Sequence, residues 1–302
     1  MNAASLFSGI GGFDLGFEQA GIACTVQVEI DNQARKVLAR HFPQARQLQD
    51  VTTVTGGDLG SVDVVCGGFP CQDVSVAGRR AGLAGARSGL WHEFHRILGE
   101  TRPQWVVIEN VPGLLSSNRG RDFATILRGL GDIGYCVAWR VLDSQYFGVP
   151  QRRRRVFVVG SLGDGRAAQV LFEREGSSGP AGSGGKTGQD VAAPLTSRAH
   201  KGGFTDPVND NVIAPNVAST LLSNGAGTAR TCGNASSVDL LPVTDGRARR
   251  LTPTECERLQ GFPDGWTSEQ ADTTRYRQLG NAVTVPVAKW IASRIVAQEA
   301  LS

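Results

Sequence analysis

The feature that most constrains the fold is a regular alternation of short apolar, β-branched runs with longer amphipathic stretches. The runs that we interpret as strands cover residues 2–7, 22–30, 62–68, 104–111, 135–142 and 154–161. The stretches that we interpret as helices cover residues 13–21, 31–42, 90–100 and 121–134. This alternation predicts an α/β fold with a mostly parallel sheet and helices on both faces. Ligands bind such sheets beyond the carboxyl ends of the strands, so residues at those ends are the first candidates for a site.

Composition indicates a folded protein with one large core. A chain of 302 residues with 40% hydrophobic and 20% charged residues is expected to bury one large core and to carry a smaller appended domain. The start of the chain lacks a basic segment followed by an apolar run, and no segment has eighteen uninterrupted apolar residues. We therefore expect a cytoplasmic protein that does not enter a membrane. Arginine far outnumbers lysine, which favours contact with phosphate and guanine, although a GC-rich genome would give the same bias.

The cysteines indicate neither disulfides nor structural zinc. Six of them occur without a C-x-x-C pair, at positions 24, 66, 71, 136, 232 and 256. His92 and His95 are one residue too close for the H-E-x-x-H zinc motif, and no metal is expected. A free cysteine is most often a small buried apolar side chain. Cys71 differs by position, because it follows Pro70 in GGFPCQDVSVAG, just beyond the strand predicted for residues 62–68.

Three further strand ends together predict a nucleoside pocket. The turn FSGIGG places glycines at 9, 11 and 12 before a helix, where backbone can approach a ligand closely. Glu29 ends the second strand, and a carboxylate there can accept both ribose hydroxyls. Asp50 ends the segment QLQD and could receive an adenine amino group.

Ordered motifs over nearly the whole chain resemble those of the cytosine-5 DNA methyltransferase family, bacterial or phage type. They are LFSGIGGF (6–13), VEID (28–31), DVT (50–52), GGFPCQDVSVAG (67–78), RSGL (87–90), VVIENVPGLL (106–115), QRRRR (151–155), RLTPTECERLQGFPDGW (250–266) and YRQLGNAVTVPVA (276–288). Two departures are minor: Val74 stands where an aromatic residue is frequent, and Ala282 where a serine is common. The resemblance implies a Rossmann-like methyltransferase sheet with a smaller, irregular target recognition domain, and S-adenosylmethionine as cofactor.

The resemblance also implies a role for individual residues. Cys71 is the expected nucleophile, and Glu109 is expected to act at ring nitrogen 3 of cytosine after burial raises its pKa. Without Cys71, a capping or ion-pairing role would be favoured for Glu109. Arg155 is expected at cytosine oxygen 2, with Arg153 and Gln151 supporting it because alternate residues of a strand share a face. The residues expected to bind the cofactor are Phe7, Ser8, Gly9, Gly11, Gly12, Glu29, Ile30, Asp50, Val51, Pro70, Asn281 and Ala282.

The same resemblance divides the chain into three parts. Residues 1–161 are the expected catalytic and cofactor-binding domain, residues 162–247 the target recognition region, and residues 248–302 the rest of that domain with a helix returning to the first part. A linker is the alternative for the Gly/Ser-rich residues 176–188, and no helical period is found between 162 and 247. The glycine- and arginine-rich residues 72–87 are a candidate lid over bound DNA.

These features favour double-stranded DNA as substrate, bound by a monomer that could serve beside a cognate restriction endonuclease. Methylation of tRNA by the same type of pocket is the alternative function.

Overall fold

The computed structural model describes residues 1–70, 89–172 and 251–301, together with a short ribbon of Val243–Thr244 paired with Arg247–Ala248. Cys71, the candidate lid at 72–87 and most of the predicted recognition region lie outside the described residues.

The observed strands of the main sheet agree with the predicted runs, and a short edge strand lies at the predicted strand segment QLQD. They are β1 Asn2–Leu6, β2 Ala23–Val28, β3 Arg46–Leu48, β4 Val64–Gly67, β5 Trp105–Asn110, β6 Tyr135–Asp143 and β7 Arg154–Leu162. The helices are α1 Gly12–Glu18, α2 Asn32–His41, α3 Gly56–Leu59, α4 Leu90–Thr101, α5 Arg121–Ile133, α6 Ala167–Leu171, α7 Pro253–Gln260, α8 Asp272–Asn281 and α9 Val285–Glu299. Short 3-10 segments, Pro112–Gly120 and Ser144–Phe147, follow β5 and β6.

The seven strands form one sheet in the order β3-β2-β1-β4-β5-β7-β6. Strands β1 to β5 run parallel, which confirms the predicted parallel part of the sheet. Strand β7 is antiparallel to both β5 and β6. Only ten residues join β6 to β7, too few for the crossover that a parallel pair requires, so the two strands form a hairpin.

Both faces of the sheet are covered, as the continuous apolar runs of the central strands require. In β5, Val106 and Ile108 pack with α4 and α5, whereas Trp105 and Val107 pack on the opposite face with α1 and α9. This division follows from the two-residue period of a strand. All six residues of β5 are buried. The helices therefore enclose the sheet and leave its carboxyl edge as the place where a ligand can enter.

Helix α6 corrects one prediction. No helix was expected between residues 162 and 247, but Ala167–Leu171 form a helix whose Val170 and Leu171 belong to the core beneath α9. Five residues are too few to give a helical period in the sequence, and packing against α9 stabilises this helix instead. The layers of the first domain consequently continue past the predicted boundary at residue 161.

The C-terminal helix returns to the sheet as predicted. Its residues Val285, Val287, Ala288, Ile291 and Ile295 are buried, and α9 packs along α1. We use the term C-terminal block for residues 251–301. A third apolar cluster joins this block to α2, with Phe42 on one side and Phe262, Trp266 and Leu279 on the other.

Candidate active site at the carboxyl edge of the sheet

A cavity of about 560 Å³ lies beyond the carboxyl ends of β1, β2, β4 and β5, and we call it the sheet-edge cavity. Residues of the C-terminal block between Arg277 and Val283 complete its wall. The predicted cofactor residues that line it are Phe7, Ser8, Gly9, Gly12, Glu29, Ile30, Asp50, Val51, Pro70, Asn281 and Ala282. Glu109, Arg153 and Arg155 line the same cavity. The fold thus brings most of the predicted cofactor and catalytic residues to one space.

The turn after β1 has the unusual backbone that its glycines predict. Gly9 and Gly11 have φ values of 58° and 86°, and Phe7 has a φ of 55°, which few residues other than glycine adopt. A side chain at Gly9 would meet no atom within 4 Å, so the backbone is open there. Gly12 lies so close to the C-terminal block that a Cβ atom would be 2.5 Å from the carbonyl oxygen of Val283.

Gly11 has a different part from the one predicted. It does not line the cavity, and a Cβ atom there would lie 2.6 Å from the ring of Phe42. Its place in the turn is therefore set by packing against α2. The sequence could not reveal this because Phe42 is 31 positions away.

Glu29 follows β2 directly and joins the glycine turn to the start of α2. One carboxylate oxygen accepts a hydrogen bond from the Gly9 N–H at 2.7 Å, and the other accepts one from the Asp31 N–H at 2.8 Å. Burial raises the pKa of Glu29, while these backbone hydrogen bonds act in the opposite direction. A carboxylate can accept about four hydrogen bonds, so this geometry retains acceptor capacity toward the cavity.

Asp50 lies two residues beyond β3 rather than at the end of a strand. Its Oδ1 accepts hydrogen bonds from the Thr52 N–H at 2.9 Å and from the Thr52 hydroxyl at 2.8 Å. These bonds lower the pKa of the Asp50 carboxyl. The carboxylate is thereby fixed in an ionised, accepting form at the cavity wall.

Glu109 and Arg155 meet across neighbouring strands. Arg155 Nε lies 2.9 Å from Glu109 Oε1, and both side chains are largely buried, with 15% and 11% exposed. Glu109 lies near the end of β5, and Arg155 near the start of the antiparallel β7. The pair places a carboxylate and a guanidinium side by side at the cavity, where they can present acceptor and donor groups to one flat ligand.

The alternation predicted for the arginine run is confirmed. Gln151, Arg153 and Arg155 point inward, whereas Arg152 and Arg154 are exposed. Arg153 donates to the carbonyl oxygens of Gly280 at 3.1 Å and Ala282 at 3.0 Å. Burial lowers the pKa of Arg153 to about 9, so its guanidinium stays charged at neutral pH.

Gln151 lies behind the cavity rather than in its wall, and its amide donates to the Leu259 carbonyl oxygen at 2.8 Å. Arg153 and Gln151 together tie the start of β7 to the C-terminal block.

Cys71 is adjacent in sequence to the described part of this wall but lies outside the described residues. Pro70 and Phe69 precede it and both line the cavity. The Asn110 amide donates to the carbonyl oxygen of Phe69 at 3.2 Å and fixes the loop at that point. We did not predict this role for Asn110, although the motif ENV placed it beside Glu109.

Sequence reasoning also missed two contacts made by the C-terminal block. The Trp266 indole donates to the carbonyl oxygen of Ile10, inside the glycine turn, at 2.8 Å. Arg277 pairs with Asp31 at 2.8 Å, and both residues line the cavity. The motifs GFPDGW and YRQLGNAV contained these residues, but nothing in the sequence indicated their partners.

His92 and His95 both lie in α4, and His95 Nε2 lies 3.0 Å from the Gly129 carbonyl oxygen. Within the described ranges, no group of three or more histidine, cysteine or acidic side chains is arranged to hold a metal ion. None of the described helices has both the length and the apolar character needed to span a bilayer.

Known proteins resemble this chain over nearly its full length. The sequence model of the C-5 cytosine-specific DNA methylase family matches residues 1–180 and 196–297. A type II methyltransferase of Bacillus subtilis (strain 168) is 33% identical over 98% of this chain and 75% of its own length. The type II methyltransferase M.NlaX of Neisseria lactamica is 32% identical over 97% of this chain and 95% of its own length.

Solved structures share the fold at lower identity. The Dnmt2 methyltransferase of Schizosaccharomyces pombe has a TM-score of 0.70 at 19% identity and covers 100% of this chain and 99% of that one. The methyltransferase EhMeth of Entamoeba histolytica has a TM-score of 0.70 at 16% identity and covers 99% and 98% of the two chains.

Proposed function

Because the chain belongs to the C-5 cytosine-specific DNA methylase family, we propose that it is an S-adenosylmethionine-dependent DNA (cytosine-5-)-methyltransferase acting on a specific duplex sequence. This proposal rests on one observation: two sets of residues line the same cavity. The glycine turn with Glu29 and Asp50 supplies a nucleoside site, and Glu109 with Arg155 supplies a polar pair for a base.

The described residues fit the cofactor. A cavity volume of about 560 Å³ lies in the usual range for sites that hold small molecules. The open backbone at Gly9 and the carboxylate of Glu29 suit a ribose, and the ionised Asp50 suits an adenine amino group. S-adenosylmethionine, when bound, supplies an electrophilic methyl group on its sulfonium.

Cys71 is the nucleophile in this proposal. Carbon 5 of cytosine is a poor nucleophile until the Cys71 thiolate adds to carbon 6, which moves electron density to carbon 5. Carbon 5 then takes the methyl group as the bond from the sulfonium breaks, which leaves S-adenosylhomocysteine. The hydrogen on carbon 5 leaves as a proton, its electron pair re-forms the double bond between carbons 5 and 6, and the bond between the Cys71 sulfur and carbon 6 breaks. The chain regains its thiolate, and the product is 5-methylcytosine.

Glu109 and Arg155 orient the cytosine and stabilise the ring during addition. Glu109 acts at ring nitrogen 3 and the exocyclic amine, and Arg155 donates to oxygen 2. Their ion pair at 2.9 Å supports this assignment, because each group holds the other in place before the base enters. Arg153 and Gln151 act through Arg155 and the C-terminal block, as positioning residues.

The target cytosine has to leave the stacked duplex to reach this cavity. Within the predicted recognition region 162–247, the residues after 172 read base edges, residues 72–87 close over the bound DNA, and the exposed Arg152 and Arg154 contact phosphates. The enzyme acts as a monomer in the bacterial cytoplasm or in a phage-infected host. Its type II methyltransferase relatives favour a place in a restriction–modification system beside a cognate endonuclease.

Methyl transfer from labelled S-adenosylmethionine tests the activity directly. The wild-type protein is expected to label duplex DNA and to form a denaturation-resistant complex with duplex that contains 5-fluorocytosine, because fluorine blocks the final proton loss. Cys71→Ser should abolish both results while DNA binding is retained, since a serine alkoxide is too scarce near neutral pH.

Two outcomes would contradict the proposal. Formation of the covalent complex by Cys71→Ser would assign the nucleophile to another residue. Labelling of tRNA without labelling of duplex DNA would replace the proposed function with tRNA cytosine methylation. Bisulfite sequencing of DNA from cells that express the chain would identify the recognition sequence.

A further inference from the structure

The wall of the sheet-edge cavity contains an ion pair that joins two distant parts of the chain. Arg277 in α8 donates from Nη2 to Asp31 Oδ2 at 2.8 Å, across 246 positions of sequence. Both side chains line the cavity, with 50% and 28% of their surface exposed. The pair therefore lies where a bound ligand meets solvent, between α2 and the C-terminal block.

Asp31 is held rigidly for this contact. Its other carboxylate oxygen, Oδ1, accepts hydrogen bonds from the N–H groups of Gln33 and Ala34 at the start of α2. This is an N-cap, so the helix itself orients the carboxylate. Less side-chain entropy is lost when Arg277 pairs with a carboxylate that is already fixed.

The ion pair also continues a row of hydrogen bonds that starts at the glycine turn. The Gly9 N–H donates to Glu29, and the Asp31 N–H donates to the other oxygen of Glu29. Arg277 then donates to Asp31. The turn and the acidic residue proposed to bind the ribose are thus connected to α8 by three consecutive bonds of 2.7 to 2.8 Å.

We propose that the Arg277–Asp31 pair is a latch that closes this wall and slows dissociation of the bound cofactor, an inference that rests on the proposed function. Arg277 is a positioning residue in this role. The C-terminal block contributes Asn281 and Ala282 to the cavity, so its attachment to α2 determines how easily the wall opens. Breaking the attachment lets α8 separate from α2 more often and raises the rate at which cofactor leaves.

Dissociation kinetics of S-adenosylmethionine, measured by stopped-flow fluorescence without DNA, test the latch. Arg277→Gln should raise the dissociation rate constant about two- to fivefold, the effect expected from one partly exposed ion pair. Asp31→Ser removes the charge but retains a good N-cap residue, and should give a similar increase. The double variant should be no faster than either single variant, because both remove the same contact. The difference from wild type should shrink in 1 M salt, where the Debye length is about 3 Å.

Arg40→Gln is the matched control. Arg40 also connects α2 to the C-terminal block, through Ser268 at 2.6 Å and Glu269 at 3.5 Å, but it does not line the cavity. Its dissociation rate constant should equal that of wild type. An increase equal to that of Arg277→Gln would assign the effect to general attachment and overturn the latch.

Binding of S-adenosylhomocysteine, the product of methyl transfer, distinguishes the latch from a simple charge effect. This product lacks the positive charge of the sulfonium. A latch predicts the same fold-change for both ligands. Tighter binding of S-adenosylmethionine by Arg277→Gln, with no change for the product, would mean that Arg277 acts by repulsion and would refute the latch. Failure of wild type to bind either ligand would refute the proposed function itself, whereas binding with no effect of Arg277→Gln would refute only the latch.

Discussion

At the scale of single residues, Asp14 is an unexpected feature of α1. It is fully buried in the first turn of the helix, next to Cys24 and Cys66, and its Oδ1 accepts a hydrogen bond from the Gln27 amide at 2.9 Å. Gln27 Oε1 has no hydrogen-bond partner among the described residues. Burial raises the pKa of Asp14 from 3.8 to about 6. The folded protein consequently binds this proton more tightly than the unfolded chain does.

The sign of the resulting pH dependence follows from that difference. Between pH 3.8 and about 6 the folded state holds more protons than the unfolded state, so stability contributed by Asp14 falls as pH rises. Above pH 6 the ionised carboxylate lowers the free energy of unfolding by a constant amount. A pKa rise from 3.8 to about 6 corresponds to roughly 3 kcal/mol as an upper value.

Asp14→Asn should therefore raise the free energy of unfolding at pH 8, by up to a few kcal/mol. The amide keeps an oxygen for Gln27, adds a donor near an acceptor that lacks one, and removes the buried charge. Urea denaturation at pH 5, 6 and 8 checks this, and the gain should be smallest at pH 5. A variant less stable than wild type at pH 8 would show that the ionised carboxylate is required there.

Glu29 gives the residue-scale test of the cofactor site. Glu29→Ala should weaken S-adenosylmethionine binding by about 1–3 kcal/mol, because polar groups that contacted the carboxylate lose a charged partner. The groups that lose this partner include the N–H groups of Gly9 and Asp31, which donate to the Glu29 carboxylate. Calorimetry measures the affinity, and a denaturation curve without cofactor reports any separate loss of stability. Equal cofactor affinity for variant and wild type would show that the ribose is assigned wrongly.

At the scale of elements, the contact between α1 and α9 depends on glycine. A Cβ atom at Gly16 would lie 2.7 Å from Ala288 Cβ and 2.8 Å from the Lys289 backbone nitrogen. The two helices therefore approach with backbone against backbone, and α9 supports the helix that follows the glycine turn. Gly131, within α5, is the opposite case, because a Cβ atom there would meet nothing within 4 Å.

Gly16→Ala and Gly131→Ala should thus change stability in opposite directions. The first should lower the free energy of unfolding by about 1–3 kcal/mol, because α1 and α9 must separate. The second should raise it by up to about 1 kcal/mol, because alanine favours the helical state and no contact opposes it. Urea denaturation of both variants checks this pair. Equal stabilisation by both would mean that α1 and α9 move apart without cost.

Local pattern was enough to predict the strands, the helices of the sheet and the alternation of the arginine run. The apolar residues of α9 were predicted because they recur at helical spacing. The role expected for Glu109 came only from the resemblance of its motif ENV, because an acidic residue near the end of a buried strand has no such role by pattern alone. The short helix α6 was missed because five residues have no period, and Gly11 was assigned to the cavity although it packs on Phe42. Contacts such as Arg277 with Asp31 depend on how distant segments meet, which a single sequence does not encode locally.

At the scale of the whole molecule, the contacts of α6 bear on where the proposed catalytic and recognition parts divide. The side chain of Arg294 in α9 donates to the carbonyl oxygens of Gln169 at 2.7 Å and Phe172 at 2.9 Å, and Arg140 in β6 donates to that of Leu171 at 3.0 Å. These bonds fix the end of α6 to α9 and to β6. Residues 162–172 therefore pack with the helices and strands of the main sheet, although the predicted recognition region begins at 162.

Two chimeras test this division, each of which takes a segment from another family member. Exchange of residues 173–242 should change which DNA sites are methylated and leave cofactor affinity almost unchanged. Discrimination comes from base contacts worth about 1–3 kcal/mol each, whereas phosphate contacts only position the duplex. Exchange of residues 162–247 replaces α6 as well and should lower the free energy of unfolding, since the buried side chains of Val170 and Leu171 are replaced by ones not fitted to the core beneath α9. Bisulfite sequencing measures the change in methylated sites, and urea denaturation measures the change in the free energy of unfolding.

An active 173–242 chimera that still methylates the original sequence would assign recognition to another segment, with residues 72–87 as the first alternative.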